Sequence, residues 1–277
     1  MKSKINSKEV GLDLGLLLFK NFLDTDYMHY GLFKDNLEAK ITNLPKAQEN
    51  YSELLLSKIP KDVKSILEVG CGSGRFAYNL HQKGYEVECV TPQSQLADYA
   101  ENLLLDKVKV NKSKYEHFKT EKKYDLILFS ESFQYIKMKD SIPKSIEFLK
   151  PGGFVMIADF FQKDVKGKSA LGGGHRFSLW EKTLNESSLK IEFEKDVTDE
   201  TAPTIDIANQ LSKNLAYPIW QLILNGLGSK YPRVLKFLKW KYSHKLDKIE
   251  HTYFSGEMNG ENFKKFKQYM IYLLKAE

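Results

Sequence analysis

Ser65-Ile-Leu-Glu-Val-Gly-Cys-Gly-Ser-Gly-Arg75 is an apolar run that breaks into three alternate glycines. The apolar half reads as a buried strand, the glycines as a tight turn, and Phe76 to Lys83 as the helix that follows. Glycine admits φ above zero and lets a ligand approach the backbone, and the helix start behind it offers free N–H groups. This is a nucleotide site in outline. A dinucleotide fingerprint would need glycines at 70, 72 and 75, whereas this chain has Gly70, Gly72 and Gly74, with Arg75 in the third position. Glu68, just before the turn, would repel a polyphosphate and suits a ligand that carries an ammonium group. The plain alternative is a strand-to-helix turn whose glycines serve packing alone.

Glu68-Val-Gly-Cys-Gly-Ser-Gly74 resembles the first motif of class I S-adenosylmethionine-dependent methyltransferases. The resemblance implies a Rossmann-like α/β sheet with helices on both faces, and S-adenosylmethionine held at Glu68, Gly70, Cys71, Gly72 and Gly74. Ahead of the motif stands Asp26-Tyr-Met-His-Tyr-Gly-Leu-Phe33, a dense aromatic cluster around one glycine. As residues these are a hydrophobic anchor. By resemblance, a His-Tyr-Gly segment marks the subgroup of cyclopropane fatty acid synthases, tocopherol methyltransferases and sarcosine methyltransferases. There it closes over the methionine end of the cofactor, which makes His29, Tyr30 and Gly31 candidates for that role.

Composition sets the frame. At 277 residues, 42% apolar and 13% aromatic, the chain can bury one large α/β core with an insertion rather than two independent domains. The apolar run Leu14 to Phe19 follows Glu9 and Asp13, so neither a signal peptide nor a membrane span is supported, and a cytoplasmic protein is expected. Cys71 and Cys89 are too few for a disulfide framework or a metal site, and no metal is expected.

Four divisions follow in chain order. Residues 1–59 form an N-terminal helical cap, with one amphipathic helix within 1–26 and another from Ala47 to Ile59. The core, 60–196, alternates strands and helices: strands over Tyr85 to Thr91, Lys107 to Val110, Tyr124 to Glu131, Phe154 to Ala158 and Leu189 to Glu194, and a helix from Pro92 to Leu105. Such alternation argues for a parallel sheet with ligands at the carboxyl edge, where Glu68, Thr91, Glu131 and Asp159 fall. Thr91 stands where most of the family carries a ribose-binding acid. With Gln93 and Gln95 behind it, it resembles the cyclopropane-synthase subgroup, although Thr91 and Gln95 also suit plain helix capping. Tyr115 and Glu116 occupy the adenine neighbourhood, where a backbone acceptor would also serve. Ser130 and Glu131 end the fourth strand, and Ser132 to Ile136 resembles the loop that faces the transferred methyl. Gln134-Tyr135 replaces the Glu-His of cyclopropane synthases, so simple methylation is the expected chemistry.

Gln162 to His175, with Gly172-Gly-Gly174, reads as a mobile loop over the site, with His175, Arg176 and Trp180 as contact candidates. Residues 197–260 read as a helical acceptor lid (Ile205 to Leu215, Pro218 to Leu227, Pro232 to Ile249), and Asp196 to Thr204 again resembles the small-molecule subgroup. Residues 261–277 close the core with a helix and a last strand. The resemblance implies in-line methyl transfer. Tyr30, Glu131, Tyr135 and His175 are the candidate bases if the acceptor must lose a proton. The net charge of +6 motivates an RNA methyltransferase as the alternative, but no RNA-binding module or Asn/Asp-Pro-Pro-Tyr motif is present and no nucleic acid is expected. A non-catalytic cofactor-binding partner protein is a third reading. Between 229 and 250, seven basic residues face Asp247 and Glu250, a net +5 beside an apolar stripe of Leu235, Leu238, Tyr242, Leu246 and Ile249. This pattern fits a solvated face, or contact with an anionic membrane or a hydrophobic acceptor.

Overall fold

Neighbouring residues of the central strands go to opposite core layers, as the two-residue repeat of extended chain requires. In β1 (Ser65–Val69), Ile66 enters one layer while Leu67 and Val69 enter the other. Leu126 and Leu128 oppose Ile127 and Phe129 in β4 (Tyr124–Ser130), and Met156 and Ala158 oppose Val155 and Ile157 in β5 (Leu149–Gln162). Both faces are covered, which is why these strands read as continuous apolar runs.

The computed structural model describes residues 7–277 apart from 93 and 168, so Gln93 and residues 1–6 lie outside the described residues. With β2 (Glu86–Thr91), β3 (Lys109–Lys112), β6 (Leu189–Asp196) and β7 (Lys267–Ala276), the sheet has seven strands in the order β3-β2-β1-β4-β5-β7-β6. Strands β1 to β5 pair in parallel, and β7 is antiparallel to β5 and β6. The ten helices described are α1 (Ser7–Phe22), α2 (Leu44–Lys58), α3 (Arg75–Gln82), α4 (Gln95–Leu104), α5 (Met138–Phe148), α6 (Phe177–Asn185), α7 (Thr198–Leu211), α8 (Tyr217–Lys230), α9 (Pro232–Ile249) and α10 (Gly260–Phe266). Helices α2, α3, α7 and α10 cover one face through Tyr51, Leu55, Phe76, Leu80, Ile205 and Phe263, while α5 and α6 cover the other through Ile142, Phe148, Trp180 and Leu184. The chain leaves β1 for β2 and β3 on one side and returns to β4 on the other, which opens a crevice at the carboxyl ends of β1 and β4. Among the described residues no helix is long and apolar enough to cross a membrane.

Several elements depart from the expectations above. Helix α4 starts at Gln95 rather than Pro92, because Ser94 caps it by accepting from Ala97 N at 3.1 Å, while Thr91 stays in β2. Strand β3 begins two residues later than expected, after Leu105 and Asp106 (φ 44° and 59°) turn the chain out of α4. Strand β5 takes in Lys150-Pro-Gly-Gly153 ahead of Phe154, with Gly152 at φ 71° and a register shift against Tyr124 and Leu126 absorbing the irregularity. Helix α7 begins at Thr198, whose N–H donates to Asp196 Oδ1 at 2.8 Å, and it packs on the core through Ala202 and Ile205. The part of 197–260 that stands clear of the core therefore starts near Ser212. The expected mobile loop is pinned at its end. Gly173 O accepts from Gln162 Nε2 (2.9 Å) and Lys267 Nζ (2.6 Å), and Gly174 N donates to Gln134 Oε1 (3.2 Å). Side chains that look solvated in the sequence reach back across the strand ends instead.

Candidate active site

The turn after β1 is left-handed at Gly70, Gly72 and Gly74, with φ of 76°, 55° and 83°. A Cβ on Gly70 would lie 2.5 Å from Ser132 Cβ, and one on Gly74 would lie 3.1 Å from Ala100 Cβ, so the protein's own packing demands both glycines. At Gly72 the nearest atom would be Met28 Cβ at 3.6 Å, which leaves that backbone open to a ligand. Cys71 is buried, and the Cys89 thiol beside it is pushed up by its hydrogen bond to Cys71 and by burial. Glu68 is only 2% exposed, and its Oε2 has no hydrogen-bond partner among the described residues. Burial pushes this carboxyl to about 8. An oxygen of this kind is costly until a donor reaches it, and an ammonium or hydroxyl of a bound cofactor fits that need. Thr91 ends β2 buried at the same edge, whereas Gln95 is exposed on the first turn of α4.

A strap, residues 24–33, lies over this turn. Asp26 takes the Arg75 guanidinium, with Nη2 to Oδ2 at 2.9 Å and Nε on Oδ1, and also accepts from Tyr99 OH at 3.3 Å. Ser73 Oγ donates to Asp26 O, and Asn79 donates to Tyr27 OH. His29 Nδ1 lies 2.8 Å from Tyr30 O, and since a carbonyl only accepts, Nδ1 carries the proton. Its Nε2 then accepts from Ser52 Oγ at 3.1 Å, and burial holds the ring neutral by lowering its pKa to about 4. Gly31 is fixed by packing: a Cβ there would lie 2.6 Å from Ala47 Cβ, and its N–H donates to Thr204 Oγ1 at 3.0 Å. Two of the three His-Tyr-Gly residues thus anchor the strap on α2 and α7. Tyr30 is the one that turns to the strand ends.

There Tyr30 N and Tyr269 OH both donate to Glu131 Oε1, at 2.6 and 2.9 Å. With Tyr269 donating to the carboxylate, Tyr51 OH donates to Tyr269 OH (2.9 Å) and Ser130 Oγ to Tyr51 OH (3.1 Å). Glu131 holds left-handed backbone at φ 58°, which is strained for a residue with a side chain. Burial lifts its carboxyl to about 8, opposed by the Tyr30 N–H and the Tyr269 hydroxyl and helped by the Asp159 charge. Asp159, lifted to about 7 by burial, accepts from Gln134 N (2.9 Å) and Nε2 (3.0 Å). The Tyr30 ring packs against Phe160, Phe263 and Tyr269 with centroids 5.6 to 6.2 Å apart, an aromatic wall beside the acids.

Of the remaining expected residues, Tyr135 stays near the acids, whose charges help burial push its hydroxyl up to about 12, while Tyr115, Glu116 and His175 make their contacts elsewhere. Tyr115 sits in the opposite core layer with its hydroxyl 3.0 Å from Ser145 Oγ, edge-on to Phe129 and Phe148. Glu116 is half-buried, and its carbonyl accepts from Lys144 Nζ. Tyr135 is 61% exposed. His175 Nε2 donates to Phe133 O (3.1 Å) and Ile136 O (2.9 Å), a loop-holding role. Sequence reasoning missed Tyr51, Tyr269 and the Asp26–Arg75 pair. For the pair a signal existed, a charge directly behind the glycine turn. The two tyrosines meet Glu131 only through long-range packing.

Residues 43–195, more than half of the chain, match a methyltransferase domain family. The malonyl-[acyl-carrier protein] O-methyltransferase 2 of Ilyobacter polytropus is 29% identical over 105 residues, which cover 36% of this chain and 40% of that protein's length. Among solved structures, the [4+2]-cyclase SpnF aligns with a TM-score of 0.68 at 14% identity, over 98% of this chain and 93% of that one. The geranyl diphosphate C-methyltransferase of Streptomyces coelicolor A3(2) aligns with a TM-score of 0.64 at 15% identity, over 96% and 98%. At such identities the likeness is one of fold. The strand order, the glycine turn with its Glu68 oxygen unpartnered among the described residues and the match over 43–195 agree: this chain belongs to the methyltransferase domain family, which uses S-adenosylmethionine.

Proposed function

We propose that the chain transfers the methyl of S-adenosylmethionine to a small hydrophobic or lipid-like acceptor, with Glu131 as the base. The observation that carries this reading is a half-buried carboxyl at the end of β4, with both of its hydrogen bonds on Oε1, beside an aromatic wall. S-adenosylmethionine supplies a methyl group already activated on a sulfonium sulfur. Glu68, the backbone at Gly70 and Gly72, and Thr91 are the residues of this chain that would hold it. What remains for the protein is to orient the acceptor, exclude water and accept a proton from its hydroxyl or carbon acid. A carboxyl lifted to about 8 is matched to that task near neutral pH. Of the other candidate bases, Tyr30 is raised well above its ordinary value by burial and stays a donor, Tyr135 is pushed up to about 12, and His175 Nε2 is committed to two carbonyls.

The acceptor class rests on the aromatic wall and on relatives named for malonyl-[acyl-carrier protein] and geranyl diphosphate. A cytoplasmic location and peripheral membrane contact through 229–250 accompany that acceptor in our reading. The [4+2]-cyclase, of the same fold, keeps a second reading in view: cofactor binding without methyl transfer. Labelled-methyl transfer from S-adenosylmethionine into a fractionated cell extract separates them. Label in lipid or apolar metabolites is expected. Label in RNA would point to the nucleic-acid reading, and binding with no label in any fraction to a non-catalytic one. Glu131→Gln should lower transfer by about 10²–10⁴-fold while S-adenosylmethionine affinity stays within a few-fold.

A further inference from the structure

We infer that the whole α8–α9 hairpin is a docking surface for anionic bilayers, with the uncharged α8 entering the lipid and the α9 lysines meeting the head groups. The inference rests on the lipid-like acceptor proposed above and extends the contact to a helix whose composition is the opposite of α9.

From Ser212 to Phe254 no residue is buried. Helix α8 carries no charge from Tyr217 to Ser229, and Ile219, Leu222, Ile223 and Leu227 stand exposed at helical spacing, Leu222 at 71%. On α9, Val234, Phe237, Leu238 and Trp240 are exposed, Trp240 at 74%. The hairpin closes on itself through half-buried Trp220, Leu224, Leu235 and Leu246, and a Cβ on Gly228 would lie 3.2 Å from Leu235 Cδ2. The apolar side chains named above face outward instead, which a soluble surface rarely sustains without a partner.

Charge selects the partner. Residues 229–250 hold a net +5 of the chain's +6, so a second copy would set like against like, while an anionic surface complements them. Lys241 stacks over Phe237 and Tyr242, and Lys245 over Tyr242, each 5.7 Å from the ring centroid. Rings with an ammonium beside them suit the head-group level, where one end is apolar and the other wet. At 14 residues α8 is about 21 Å long, too short to span a bilayer and suited to lying in its interface.

The test uses the full chain without cofactor and vesicles of phosphatidylcholine alone or with phosphatidylglycerol. Co-sedimentation with anionic vesicles only, released by high salt, is expected, together with a blue shift of Trp240 emission that Trp240→Phe removes. Lys236→Gln/Lys239→Gln/Lys241→Gln should weaken binding about a hundredfold, since each basic residue near such a surface contributes about fivefold. Leu222→Glu/Ile223→Glu should weaken it at least about tenfold. Both variants should keep the parent's circular dichroism and S-adenosylmethionine affinity, which excludes misfolding. Absence of vesicle binding, equal binding to neutral vesicles, or self-association without vesicles would each overturn the inference. Because vesicle binding is read without cofactor or acceptor, a failure of methyl transfer in extract is a separate result and leaves the docking outcome to stand or fall alone.

Discussion

The strap over the glycine turn and the α8–α9 hairpin are both rich in aromatic residues, yet they solve opposite problems. In the strap, Asp26, His29, Tyr30 and Gly31 each find a partner within the chain: Arg75, Ser52, Glu131 and Thr204. In the hairpin no residue is buried, and rings such as Trp240 face outward. The strap shapes an internal site by tying the polar groups of Asp26, His29, Tyr30 N and Gly31 N to the chain beneath it. The hairpin leaves apolar groups unsatisfied, and that imbalance is what directs attention to an external surface. Composition alone does not separate the two; the partners do.

The contrast is sharpest at glycine. Gly70→Ala places a Cβ 2.5 Å from Ser132 Cβ at a φ of 76°, where L residues are strained, and should destabilise the fold by roughly 3–5 kcal/mol. Gly226→Ala in α8, with nothing within 4 Å, should instead stabilise by about 0.5–1 kcal/mol through helix propensity. Denaturant melts of both variants decide it. Opposite signs, with the loss several-fold larger than the gain, support the contrast, and a Gly70→Ala protein as stable as the parent would break it.

The sheet was legible because its central strands are buried on both faces and its turns carry glycine, proline and a capping serine close to where the elements change. The position of Glu68 at the end of β1 was legible for the same reason, since it stands directly before the glycine turn. Tyr115 lies in the opposite core layer, a placement that proximity to the adenine region in sequence does not determine. Tyr51 and Tyr269 reach Glu131 from positions 80 residues before and 138 residues after it, a distance no local pattern encodes. The loop before His175 looked free because its glycines are polar punctuation in sequence, whereas Gln134, Gln162 and Lys267 hold it from three separate segments.

The next effect is electrostatic. The folded pKa of Glu68, about 8, lies above its ordinary 4.5, so the fold favours the protonated form. Its contribution is fully present below about 4.5 and is lost as pH rises through 8. His29 runs the other way. Its folded pKa of about 4 lies below 6.5, so its contribution is present above 6.5 and lost as pH falls through 4. The cofactor-free protein should therefore be most stable between these limits. Glu68→Gln should gain about 2 kcal/mol over the parent between pH 5.5 and 8, a rise of a few degrees in Tm. S-adenosylmethionine should close that gap by supplying a donor to the parent carboxylate. A parent and variant with parallel pH–Tm curves would show that Glu68 is not the strained group.

Smaller still is the tie between strap and turn. Arg75 is about one-third exposed while Asp26 is buried, so solvent screens part of the pair. A double-mutant cycle of Asp26→Asn and Arg75→Met should give a coupling energy of about 1–2 kcal/mol. Loss of the pair should also weaken S-adenosylmethionine binding, because the strap then no longer holds Met28 over Gly72. A coupling near zero would reduce the pair to a surface contact and take the strap's anchoring back to His29 and Gly31.

The smallest expected effect is the one that tests the hairpin most directly. Trp180 is fully buried among Phe133, Phe161 and Tyr272, with ring centroids 5.4 to 5.5 Å away, and Trp180→Ala should cost about 3–5 kcal/mol. Trp240 exposes three-quarters of its surface and stacks only loosely on Phe237, at 5.9 Å. Removing it takes little area out of a core, because the same ring is already wet in the folded chain as it is in the unfolded one. Trp240→Ser should therefore change stability by less than about 0.5 kcal/mol in solution, while removing a large share of any stabilisation that anionic vesicles confer. A solution loss above about 1 kcal/mol would mean that the hairpin folds back onto the protein. The exposed aromatic face would then be a covered one, and the difference between strap and hairpin would be one of degree.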